Sequence, residues 1–147
     1  MAAESVLNFF EQPGSDGDNT LTIGGSAQSA NGTNYLSKLI SIPIGNISNA
    51  GIVWIVPGIA GTITKISCVI DAAIVTADAG VAFALDGVDI TDAALTIAFV
   101  GSSGGTVDQS VPTALNVISA TQAIRITKDG ASTNNSNGLV TFQIEPS

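Results

Sequence analysis

Short apolar runs separated by turn residues, at intervals of about eight to twelve positions, recur from Tyr35 to the C-terminal end, and this spacing constrains the fold more than any other feature. Helical spacing is scarce. The runs cover residues 36–44, 52–56, 62–70, 81–85, 88–90, 95–100, 114–118, 123–127 and 139–144. Several alternate with a period of two: Ile40, Ile42 and Ile44; Ile66, Cys68 and Ile70; Val81, Phe83 and Leu85; Leu95, Ile97 and Phe99; Val140, Phe142 and Ile144. Because successive side chains of a strand point to opposite faces, each set is expected to face one interior. The fold class is therefore all-β, a β-sandwich. Short strands in this number suit two packed sheets in jelly-roll order, with an immunoglobulin-like order as the alternative.

The opposite faces of the same runs are unusual. Where a solvated sheet carries Lys, Glu and Arg, these show Thr62, Thr64, Ser67, Val69, Ala82, Ala84, Thr96 and Ala98. Only 11% of the chain is charged, less than half of the roughly 25% usual in globular proteins. Small, weakly polar positions let another sheet or subunit approach closely, and burying them carries little desolvation cost. Ala82, Ala84, Thr96 and Ala98 are accordingly candidates for a subunit interface. Trp54, in the run IVWIVP, is expected as an anchor of that interface or of the core. A compact sandwich that simply uses alanine is the plain alternative.

Turn chemistry marks the connections. Asp86-Gly87 between VAFAL and VDI is a two-residue hairpin signal, since both residues tolerate positive φ. Residues 57–61 (PGIAG) link two runs, while 101–105 and 129–138 are longer polar loops suited to an outer rim, the latter expected as the most mobile tip.

Residues 1–34 differ from the rest of the chain. An apolar knot of Val6, Leu7, Phe9 and Phe10 precedes a tract rich in Gly, Ser, Asn and Asp, broken only by Leu21, Thr22 and Ile23. So few apolar groups do not offset ordering entropy, and an extended N-terminal arm is expected at 1–34, with a sandwich domain at 35–147. The knot either attaches to a partner surface or caps the protein's own core. The opening stretch MAAESVLNFFEQPG lacks a cationic segment and does not resemble a secretory signal. No window has the 18 or more uninterrupted apolar residues of a helical membrane span, and no membrane partner is expected.

The reactive inventory is narrow. The chain has no His, removing the usual base near neutral pH and the commonest metal ligand. The lone Cys68 forms neither an internal disulfide nor a Cys-based zinc site, and reads as a buried small hydrophobe. Twelve acidic residues against four basic ones give a net charge of −8, and Lys38, Lys65, Arg125 and Lys128 are scattered, so no nucleic acid partner is expected. Phosphate-cradling glycine motifs are missing. Asp86, Asp89 and Asp92 crowd one segment without the spacing of a calcium loop, and read as acidic turn residues. Asp71 with Asp78 is a conceivable carboxylate pair that nothing orients. The Asn-x-Ser/Thr sites at Asn31, Asn46 and Asn134 read as turn chemistry. No catalytic residue, metal or cofactor is expected, and the chain is not expected to be an enzyme.

The segments IVWIVPGIAGTITKISCVIDAAIVTADAGVAFALDGVDIT and TIAFVGSSGGTVDQSVPTALNVISATQAIRITKDGAS resemble small virion proteins of tailed bacteriophages, over roughly residues 50–144. The characteristic parts are Pro57 with the GTITKI run at 61–66, the ADA tripeptide at 77–79 and the TKDGAS turn at 127–132. The resemblance implies a head-decoration, cement or head-fibre protein: a non-enzymatic β-sandwich, commonly trimeric, on the capsid exterior after assembly in the host cytoplasm, with the major capsid protein and its own copies as partners. Under that implication Val6, Leu7, Phe9 and Phe10 are the capsid-attachment candidates. The alternative is a fibre or adhesin-like module that binds a host-surface glycan through the loops at 101–105 and 129–138.

Overall fold

The computed structural model describes residues 20–23, 26–29 and 37–147. These form strands and no helix: β1 (Thr20–Ile23), β2 (Ser26–Ser29), β3 (Lys38–Asn46), β4 (Gly51–Ile55), β5 (Gly61–Ile70), β6 (Ala79–Leu85), β7 (Val88–Asp89), β8 (Leu95–Ile97), β9 (Val107–Ser110), β10 (Val117–Ile118), β11 (Ile124–Lys128) and β12 (Asn137–Pro146).

Two antiparallel sheets make the sandwich. One runs β10-β5-β12-β3, with β9 also pairing β5; the other runs β4-β11-β6-β7, with β8 also pairing β6. Taking β7/β8 as one split strand and β9/β10 as another leaves eight positions in chain order from β3 to β12. The first then pairs with the last, the second with the seventh, the third with the sixth and the fourth with the fifth. That nesting is the jelly-roll order.

Strand formation follows from the alternation. In β5 the residues Ile63, Ile66, Cys68 and Ile70 are buried, and β12 buries Val140, Phe142 and Ile144 beside them. Facing them from the second sheet are Val81, Phe83, Ile124 and Ile126. Phe83 and Phe142 meet edge to face with ring centroids 5.5 Å apart, joining the two sheets. At one end of the core Lys128 is buried, and its ammonium donates to the carbonyls of Ile44 and Asn46, each at 2.8 Å. Cys68 is fully buried, and burial, aided by the nearby Asp108 carboxylate, pushes its thiol up to about 11.

Several sequence expectations need correction. Phe99 is 40% exposed rather than inward, because β8 stops at Ile97 and the Phe99 amide donates to the Asp78 carboxylate at 2.9 Å. The run 114–118 shortens to β10, with Ala114 held by a single bridge to Thr91. Strand β9, sequence VDQS, is an addition: three of its four residues are polar, so no apolar alternation announces it. Within residues 1–34, Thr20–Ile23 pairs with Ser26–Ser29, an addition that leaves the expected arm itself neither supported nor overturned. Val6, Leu7, Phe9 and Phe10 lie outside the described residues.

Candidate assembly interface

The outer face of the β4-β11-β6-β8 sheet is assembled row by row from its register. Trp54 lies opposite Arg125, Arg125 opposite Ala84, and Ala84 opposite Asp89. The next row is Ile52, Thr127 and Ala82, and beyond it Gly80 stands opposite Thr96. Residues opposite in a ladder, or two apart on one strand, share a face. Trp54 is therefore not a core residue: it is 58% exposed, flanked on β4 by exposed Ile52 and followed by exposed Val56. Ala82, Thr96 and Ala98 are exposed as well.

Ala84 departs from the expectation for an interface residue. It is 1% exposed, because Arg125 must cross it to reach Asp89 at 3.4 Å on the strand beyond. That ion pair, the one found among the described residues, is solvent-accessible and contributes little to stability. Its effect is geometric. It neutralises the guanidinium and fills one part of the face, leaving a shallow depression of about 260 Å³ lined by residues that include Ala82, Ala94, Thr96, Thr127 and the carboxylate-bearing Asp129. Small side chains create this hollow, and a protruding partner side chain fits such a shape.

A second, open cleft of about 480 Å³ sits at one end of the sandwich, lined by Leu85, Asp86, Val88, Leu115, Val117 and Gln122. The Gln122 amide donates to Asp86 at 2.7 Å, and Leu115 has a positive φ of 55°, a costly conformation for a bulky residue.

The polar loops gather at the other end. Both 101–105 and 129–138 close on residues 71–78. Ser102 Oγ donates to Ile74 O at 3.2 Å, Ser132 Oγ to Val75 O at 2.7 Å and Ser136 Oγ to Ala72 O at 2.8 Å. Ser132 and Ser136 are buried. The segment expected as a mobile tip is thus stapled by its own hydroxyls, a role that composition alone does not reveal.

The acidic residues weighed for catalysis or metal binding stand apart, each serving a local donor. Asp71 accepts from the backbone amide and side chain of Asn137 at 2.7 and 2.8 Å, bonds that hold its carboxyl below the usual aspartate range. Asp78 holds Phe99, Asp86 holds Gln122, Asp89 pairs with Arg125 and Asp92 accepts from Thr113. Among the described residues no three His, Cys, Asp or Glu side chains are grouped to hold a metal ion, and no helix is long and apolar enough to cross a membrane.

No family model matches the chain, and no curated protein matches it. Among solved structures, the C-terminal domain of EclA, described as a sugar-binding protein, is similar over 88% of this chain and 84% of its own, at 14% identity and a TM-score of 0.33. A likeness that distant carries no argument about function.

Proposed function

We propose that the chain is a non-enzymatic structural protein of a phage virion, which decorates and stabilises the capsid shell as a homo-oligomer, a trimer by its resemblance, with the major capsid protein as its other partner. One observation carries the proposal: a pleated face built mainly of small and apolar residues, its charges being the paired Arg125 and Asp89 and the backbone-bound Asp129 at the hollow, with exposed Trp54 on one margin and the hollow at Ala82 and Thr96 on the other. An exposed aromatic beside small residues is what a subunit contact uses as its anchor and its socket. The jelly roll hosts capsid domains, and equally lectins, so the fold supports the proposal without deciding it.

Copies bound to one shell gain from multivalency, since each contact raises the effective concentration for the next. The net charge of −8 keeps free oligomers soluble before they meet the shell. The glycan-binding alternative has less support, because Ser102, Ser132 and Ser136 of the two loops assigned to it spend their hydroxyls on backbone groups of residues 71–78. Co-sedimentation with purified capsids tests the proposal: saturable binding in a fixed ratio to capsid subunits supports it. Glycan-array binding without capsid binding overturns it.

A further inference from the structure

The open cleft of about 480 Å³ at one end of the sandwich shares no lining residue with the hollow at Ala82. Leu85 is the buried member of its lining, and Val88, Leu115 and Val117 stand exposed around it. Its two polar side chains are braced. The Gln122 carboxamide accepts from the Ser119 amide at 3.2 Å and donates to Asp86 at 2.7 Å, which occupies one carboxylate oxygen and leaves the other without a partner among the described residues. No basic residue lines the cleft.

Leu115 is the residue that folding does not explain. Its neighbours are tied to opposite sheets: the Thr91 amide, just beyond β7, donates to Ala114 O at 3.1 Å, and the Ile63 amide on β5 donates to Asn116 O at 2.9 Å. The chain crossing between them turns with φ 55° at Leu115, a conformation that Gly or Asn adopts at far less cost than a bulky residue. Leucine adds little to the core there, since it is 58% exposed. Its side chain walls the cleft instead. Strain kept at an exposed apolar residue that lines a cavity marks a contact made outside the fold.

Charge decides what makes that contact. A second copy is a poor occupant of this cleft: it carries the same net charge of −8, and of its four basic residues Lys128 is buried on backbone carbonyls and Arg125 is paired with Asp89. Apolar walls beside an unmatched carboxylate suit a side chain with an apolar stem and a cationic head. The cleft is open rather than enclosed, so several residues of a chain can lie across it. We propose that it docks an extended segment of a different protein, in which a lysine or arginine between apolar residues lays its stem against Leu115 and Val117 and its head on Asp86. The site is separate from the face assigned to self-assembly and stands whether or not the partner is a capsid subunit.

Amide chemical shifts of the isotope-labelled full-length chain, titrated with a blocked Val-Leu-Arg-Leu-Val peptide, test this. Saturable shifts are expected at residues 85–88, 115–118 and 122. Citrulline in place of the peptide's arginine raises the dissociation constant at least about threefold, and so does Asp86→Asn, which keeps the turn because Asn-Gly favours the same hairpin. Leu115→Asn weakens binding about fivefold or more, while its urea midpoint equals or exceeds that of the unaltered chain. A leucine needed only for folding does not separate the two effects. The proposal is overturned if those amides show no saturable shift, if the citrulline peptide or either variant binds as the original pair does, or if the urea midpoint falls in Leu115→Asn. Equal affinity for spermidine at the same amides also overturns it, since the cleft then reads charge alone. Shifts of those amides on dilution of the free protein overturn it as well, because they place a second copy in the cleft.

Discussion

The ring of Phe83 meets the ring of Phe142 edge to face at 5.5 Å, and through this contact the central strands of opposite sheets are locked in depth. Phe142 is fully buried on β12, which pairs on both sides, so little around it can collapse into a cavity. Phe142→Ala is expected to cost about 3–5 kcal/mol, seen as a lower urea midpoint with an unchanged slope. Leu39→Ala, at a site 69% exposed, is expected to stay within about 0.5 kcal/mol in the same assay.

Lys128 follows the inward alternation of β11, yet ends in an ammonium that donates to two backbone carbonyls where β3 turns toward β4. Lys128→Met keeps the stem and removes both donors, leaving buried acceptors unpaired. A loss of about 1–3 kcal/mol is expected in equilibrium unfolding. An increase in stability would show that those carbonyls find other donors.

Asp71 ties the end of β5 to the start of β12 through Asn137. Because these bonds lower its folded pKa, its contribution is fully present above the ordinary aspartate value and is lost as pH falls through the depressed one. Asp71→Asn is expected to flatten the acid limb of the stability profile while changing the neutral region less. Urea midpoints measured from neutral to acid pH check this. An acid limb identical to that of the unaltered chain would refute the assignment.

Much of this architecture is legible in the sequence because β5, β6, β11 and β12 bury one face and Ile, Val and Phe recur on it with period two. The turn at Asp86-Gly87 is legible for a local reason: Asp86 has φ 49° and Gly87 φ 85°, as the two-residue hairpin requires. What escapes sequence reasoning is long-range. Nothing near Arg125 in the chain names Ala84 as its neighbour, and only the register shows that one side chain crosses the other to reach Asp89. Likewise Ser132 and Ser136 look like loop filler until residues 71–78 are seen to receive their hydroxyls. The low-charge outer face is legible from composition, but composition leaves Trp54 on either side of the sheet, and the register of β4 with β11 settles its side.

The central claim is that the outer face of the β4-β11-β6-β8 sheet joins copies of this chain. Sedimentation velocity of the unaltered protein beside Ala82→Arg tests it most directly, because Ala82 is exposed and lies in the hollow of that face. The account predicts a discrete oligomer for the unaltered chain and a folded monomer for the variant, with matching circular dichroism. A monomer in both, or an oligomer indifferent to the arginine, would contradict it.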